Sequence, residues 1–355
     1  MGPGVCGMKR RHVKKKYLAA IAGGAMVASL AGLAAFGMVM ASHPSQVAAA
    51  TTCTPTGFYR DGINLTAAQI NPSGVVSGDV DATGCDIGVY YGAGVTGTVN
   101  HANIHNAVYF GVVNNGGVVT VENSSIHEIG DTPFGGNQHG VAVYWVYYSG
   151  ATGSITNNDI YDYQKGGIVV NGVGSSANIR GNTVTGLGPV NFIAQNGIQI
   201  GYGATANVMN NTVTGNSYTG ANEASSGGII VVGGPCYQDV YTTNVQIVGN
   251  TARNNDVGIW LTNIEADCLT APTTPTNIKV VNNTISDDGV YNTTGDITMG
   301  YQAGIADQGD NDKLIHNNIS GVGYTPDPSS GAYLIQIDAD SSFTNNAKIH
   351  ANVIH

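Results

Sequence analysis

Between residues 101 and 165 the chain gathers side chains able to move protons or hold cations: His105, His127, Glu128, Asp131, His139, Asp159, Tyr161, Asp162 and Lys165. Two belong to a recurring tag, Gln-x-Gly followed closely by an aliphatic residue. It reads QHGV (138–141), QKGGI (164–168), QNGI (195–198) and QAGI (302–305), with His139, Lys165, Asn196 and Ala303 in the variable slot. A lysine whose pKa is depressed by a charged neighbour such as His139 is a base for an acidic C–H. Tyr161 or His127 is the candidate donor that returns a proton to a leaving group. Glu128, Asp131, Asp159 and Asp162 offer the hard oxygens that Ca2+ takes. Glu128 and Asp162 also suit a rival chemistry, hydrolysis by a carboxyl pair about 5 Å apart. The same stretch carries Tyr109, Phe110, Tyr144, Trp145, Tyr147, Tyr148, Tyr161 and Tyr163. Rings beside polar groups are how proteins grip sugars. Tyr109, Tyr144 and Trp145, with Gln138, Gln164 and Asn196, form the expected binding set.

Structural roles compete with each of these. The tag glutamines would also serve as a ladder of stacked amides. His105 and His127 would pair as a surface ladder, and Lys165 would sit in solvent. The rings would pack under a long loop such as WVYYSGATG (145–153).

The elements that position these residues come from a repeat. Aliphatic, two residues, usually Asn, one residue, aliphatic recurs as ITNNDI (155–160), IRGNTV (179–184), VMNNTV (208–213), IVGNTA (247–252), VVNNTI (280–285), LIHNNI (314–319) and IHANVI (349–354). Earlier copies, VNHANI (99–104) and VENSSI (121–126), carry Ala or Ser at the Asn slot. Gly-led apolar strands follow most copies, among them GIVV at 167, GIQI at 197, GIIV at 228 and GIWL at 258. The spacing varies from 22 to 39 residues, so the core is periodic and the loops are not. No segment has a helix-length 3.6 period, and Gly or Asn marks the corners. This pattern predicts a solenoid of short strands, an all-β, single-stranded right-handed parallel β-helix of about nine coils. Asn158, Asn182, Asn211, Asn250, Asn283, Asn317 and Asn352 become an internal amide ladder. Asp307 falls where other strands place an inward aliphatic residue, which implies either a register slip or a buried acid.

Residues 1–50 read as a signal peptide. Six of the 13 Lys and Arg lie between Lys9 and Lys16, an apolar stretch runs from Tyr17 to Ala41, and QVAAA offers a cleavage site after Ala50. An uncleaved anchor is the alternative, and the only membrane contact expected. Beyond the leader seven bases face 23 acids, a net of −16. Such a body repels nucleic acid and anionic lipid, and suits cations or neutral substrates. Four cysteines remain past the leader, an even number in an exported chain. They allow three connectivities. Cys236 lies eight residues past Gly228 and Cys268 ten past Gly258, so coil register favours Cys236–Cys268, leaving Cys53–Cys85 to clip the cap to the first coil. Residues 51–80 are expected to form that cap, with a short helix over NLTAAQINP (64–72), and residues 81–355 the β-helix.

The Asn ladder, the G-I-x-[IV] strands and the variable loops resemble the pectin-lyase-like, pectate-lyase-type superfamily over roughly residues 75–355. DATGCDIGVYYG (81–92), SSIHEIGDTPFGGNQHGVAVY (124–144), YQKGGIVVNG (163–172) and FIAQNGIQIGYGA (192–204) resemble a branch of secreted bacterial β-helix proteins. The resemblance implies a polysaccharide or surface glycan as partner; the leader implies a secreted or cell-surface protein, and a monomer is expected. The resemblance supplies no reaction, because this fold hosts many functions. SDDG (286–289) and NQHG (137–140) resemble two fragments of polygalacturonase-like hydrolases, in the wrong chain order. GDND (309–312) is too short for a calcium repeat loop. The functional expectation is a protein that binds a polysaccharide and acts on it, with β-elimination ahead of hydrolysis or epimerisation and Ca2+ as the candidate cofactor. The alternative is a non-catalytic surface or matrix rod.

Overall fold

Each repeat makes one coil because its apolar residues alternate inward and its corners are set by residues that tolerate φ > 0. The computed structural model describes residues 52–221, 224–293, 300–342 and 344–355. The proposed leader lies outside them. One strand per coil builds an eleven-stranded sheet, in which the strands from Ile63–Ile70 to Ala332–Asp338 pair in parallel. Two shorter strands per coil build an 18-stranded second sheet with a sharp bend between them. The coils wind right-handed, as twisted strands joined by parallel crossovers do.

The bend has a fixed chemistry. The residue before each ladder Asn is left-handed in coil after coil: Asn157, Gly181, Asn210, Gly249, Asn282, His316 and Ala351 all have φ between 54° and 68°. The next residue turns inward. Asn158, Asn182, Asn211, Asn250, Asn283 and Asn317 are at most 2 % exposed, and each donates its Nδ2 to the Oδ1 of the next rung. The same Nδ2 donates to a main-chain carbonyl of the preceding coil, and the main-chain N–H donates to the next rung's Oδ1. The amides are therefore fully satisfied inside an apolar core.

A second column explains the Gly of the Gly-led strands. Gly88, Gly111, Gly167, Gly197, Gly228, Gly258 and Gly304 stack along the first sheet with Ala142 among them. A Cβ on any of these glycines would approach a carbonyl oxygen of the next coil to 2.5–2.7 Å. Glycine is used here for space between coils.

Two expectations change. The segment 64–72 is not helical: Ile63–Ile70 is a strand, paired antiparallel with Thr54–Arg60 and parallel with Ile87–Tyr91. Leu65 and Ala67 alternate into the core at 0 % exposure, a period of two that a helix cannot supply. The coils thus begin inside the stretch assigned to the cap, and the Thr54–Arg60 hairpin covers their end. Asp307 is not a register slip. It pairs with inward Leu261 and is 1 % exposed, a buried acid. The disulfides are Cys53–Cys85 and Cys236–Cys268, as the register favoured.

Candidate functional site

The outer face of the first sheet carries a cleft of about 600 Å³. Its floor comes from the strands Val141–Trp145, Gly166–Asn171 and Asn196–Gly201, through the outward residues Tyr144, Val169, Asn171, Asn196 and Gln199. Loops and turns add Phe192, Tyr202 and Tyr237, the strand Thr212–Tyr218 adds its last residue, and Arg60 reaches in from the N-terminal hairpin. Arg60 donates to the Gln138 carbonyl at 3.0 Å and lies 5.5 Å over the Phe110 ring. Tyr147 and Tyr148 both donate to the Asp239 carboxylate, which ties two loops together at the cleft wall. Tyr147 stands edge-on to Tyr202 at 5.6 Å.

Lys165 lines this cleft. Its ammonium donates to the Ala194 carbonyl at 2.7 Å, and no carboxylate pairs with it among the described residues. Burial pushes its pKa down from 10.5 to about 8. The depression therefore comes from desolvation and not, as expected, from His139. That imidazole is 7 % exposed, bonded to Asp131 at 2.8 Å and packed 4.2 Å from the Tyr109 ring. Burial disfavours the Asp131 carboxylate, but hydrogen bonds from His139 and Asn137 outweigh it and lower its pKa.

The tag does not form one column. Asn196 pairs with Gly166, which pairs with Val141, so Asn196 and Ala303 lie on the strand while Lys165 and His139 precede it by one and two residues. Its buried glutamines are not an amide ladder. Gln164 Oε1 accepts the N–H groups of Asp131 and Gly135 while its Nε2 donates to the Asn137 carbonyl. Gln195 holds Leu187, and Gln302 holds Tyr291 and Asn292, in the same manner. Each fastens a loop. Gln164, at 0 % exposure, is a loop clamp and cannot contact substrate. Trp145 is likewise removed from the binding set, since it points into the axial core at 0 % exposure. Gln138, Asn196 and Tyr144 line the cleft, whereas Tyr109 packs beside His139.

The other candidates lie on the second sheet and at its corner. His105, His127 and Tyr161 stack ring on ring, at 5.3 and 4.8 Å with interplanar angles of 7° and 5°. Asp79 and Glu128 approach the two imidazoles at 3.2 Å. This is the surface ladder considered above as the structural alternative. Glu128 and Asp162 are left-handed, at φ 53° and 46°, as are Asn106, Gly215 and Asn254 at the same corner. Their alignment on adjacent coils thus reflects a turn that favours Asn, Asp and Gly. Glu128 turns to His127, Asp131 to His139, and Asp159 and Asp162 are exposed. Among the described residues no three His, Cys, Asp or Glu side chains meet in a metal-holding group.

Sequence reasoning missed Arg60, Gln199, Tyr202, Tyr218, Tyr237 and Asp239. Gln199 was legible as the outward residue of GIQI; Tyr218 ends a strand beyond a register shift, and the others arrive on loops or on the hairpin, where the repeat gives no register.

No protein-family model and no curated protein matches the chain. Among solved structures it is similar to the Dettilon tailspike protein (gp208), at 15 % identity and TM-score 0.37, over 81 % of this chain and 61 % of that one. It is also similar to the Azotobacter vinelandii mannuronan C-5 epimerase AlgE4 A-module, at 12 % identity and TM-score 0.29, over 82 % of this chain and 87 % of that one. The chain therefore spans less than two thirds of the tailspike chain. The parallel strand pairing and the internal Asn ladder make this chain a single-stranded right-handed parallel β-helix.

Proposed function

We propose that the cleft on the first sheet binds an acidic polysaccharide and that Lys165 acts there as the base of a β-elimination. The carrying observation is Lys165 itself, a half-buried ammonium without a carboxylate partner among the described residues, opening into a cleft walled by Tyr147, Tyr202 and Tyr218 over a floor that includes Tyr144. Tyrosine walls fit sugar rings. In an acidic body, two of the seven bases past the leader, Arg60 and Lys165, meet at this one cleft. Arg60 faces the uronate carboxylate and neutral Lys165 removes the adjacent C–H proton. The electron pair forms the C=C bond, the glycosidic C–O bond breaks, and a wall tyrosine protonates the departing oxygen. Two disulfides suit an extracellular setting. Among the described residues no helix is long and apolar enough to cross a membrane. Incubation with a panel of uronate-containing and neutral glycans tests the reading. The expected result is retention of uronate chains and an ultraviolet signal from unsaturated uronate. Neither binding nor product across the panel would sink it.

A second reading, a non-catalytic rod that only holds glycan, has its own support. Of the six side chains nominated for catalysis, Lys165 alone lines the cleft, while His127, Tyr161, Glu128 and Asp162 belong to another face. Glycan retention without product, lost in Lys165→Ala, favours this reading.

A further inference from the structure

Two acids lie inside the axial core near its C-terminal end. Asp307 takes the inward position that Leu261 holds in the neighbouring coil and is 1 % exposed. Among the described residues neither of its carboxyl oxygens makes a well-formed hydrogen bond, although the Gly309 N–H lies near enough to favour its charged form. Asp312 is 0 % exposed. Its Oδ1 accepts from Thr276 Oγ1 and the Ile278 N–H, both at 2.7 Å, while its Oδ2 has no partner. The two carboxyls face each other, and no Lys, Arg or His approaches either among the described residues. Burial, and then the charge of Asp312, holds the Asp307 carboxyl well above the usual range. Gly309 makes the packing possible: a Cβ there would sit 2.0 Å from Asp312 Oδ2 and 2.7 Å from Thr276 Oγ1.

Three unpartnered carboxyl oxygens in an apolar core require a positive species. One proton on each acid removes both charges and lets Asp312 donate to Asp307, but it leaves the remaining Asp307 oxygen without a partner. A divalent cation takes all three oxygens and cancels both charges. We propose that Asp307 and Asp312 form a buried site for a hard divalent cation of the calcium type, with Thr276 Oγ1 as a neutral oxygen donor beside them. The Asp310 carboxylate belongs elsewhere, since it accepts from Asn346 Nδ2 at 2.8 Å, so the site has two acids and not three.

The full chain, stripped with chelator, is melted with and without Ca2+, with Tb3+ as a luminescent probe of the same site. At a hundredfold excess of Ca2+ over its Kd the wild type should melt about 5 °C higher. Asp307→Leu, which installs the residue of the neighbouring coil, should fold and melt at the same temperature in calcium and in chelator. Asp312→Asn, which keeps the Thr276 and Ile278 contacts, should also lose the shift. A wild type that melts identically with and without calcium overturns the site, and so does an Asp307→Leu chain that keeps the full shift.

Discussion

At Lys165 burial and chemistry act on the same proton. Desolvation holds its pKa at about 8, so the amine is mostly charged below that pH and mostly neutral above it. A base must be neutral, so kcat/KM for uronate chains should rise as pH increases through about 8 and then level off, in initial rates followed across that range. Lys165→Arg keeps the cation and cannot be deprotonated; it should retain glycan binding within several-fold and lose turnover. A profile that is flat through pH 8 would remove Lys165 as the base. The ladder amides work at the same scale with no chemistry to do. Asn211 joins Asn182 to Asn250 and accepts from the Asn182 N–H, so Asn211→Ala strands several buried donors and acceptors. The loss should be about 3 kcal/mol in denaturant unfolding. Asn178→Ala, at an exposed Asn178–Asn207 pair, should cost less than about 0.5 kcal/mol. The ladder was legible in the sequence because its partners recur at one position in each coil. The glutamines were not, because their partners sit in loops of unequal length, where the same residue type serves a different purpose.

The strands of the first sheet show what sequence periodicity can and cannot specify about an element. GIQI and GIIV gave away the inward Ile and Val residues, and the register Ile198↔Ile229 follows that alternation. The leading Gly carried a meaning visible only in three dimensions. Gly197 faces the Gly228 carbonyl, and an added Cβ would approach it to 2.6 Å and Val213 Cγ1 to 2.3 Å. Gly197→Ala should therefore pry adjacent coils apart and cost about 2–3 kcal/mol by chemical denaturation, as overpacking does. Gly74→Ala, where nothing lies within 4 Å of the new Cβ, is the control and should be near neutral. Equal effects at the two sites would show that the column is not set by space. The cap segment was misread for the converse reason. INLTAAQI contains Asn, Thr and Ala in an order that suits a capped helical turn. Its pairing with Ile87–Tyr91 is a long-range contact that outweighs local propensity.

Across the whole molecule, a chain with far more acids than bases cannot pair every carboxylate that its loops fold inward. Asp256 and Asp287 are both 0 % exposed. Asp256 accepts hydrogen bonds from Ser217 Oγ, the Tyr218 and Ser226 N–H groups and Asn292 Nδ2. Asp287 accepts from Gln302 Nε2 and the Gly289 N–H. Desolvation outweighs these bonds and raises the two pKa values to about 7 and about 8, with Asp256 and Asp288 adding repulsion at Asp287. Among the described residues no basic side chain offsets either of them. The sign of the linkage follows. Between the unfolded value near 4 and these folded values the native state holds protons that the unfolded chain has released, so stability falls as pH rises through that window. Below pH 4 both states are protonated and the groups cost nothing. Above about 8 the cost is complete, of the order of several kcal/mol. Asp287→Asn mimics the protonated acid and keeps an acceptor for Gln302. Its melting temperature should match the wild type near pH 4 and exceed it increasingly up to about pH 8, with the gap constant beyond. Thermal melts of the two proteins at matched ionic strength decide this, and parallel curves across the window would show that Asp287 is ionised in the native protein and that its hydrogen bonds, not burial, set its charge.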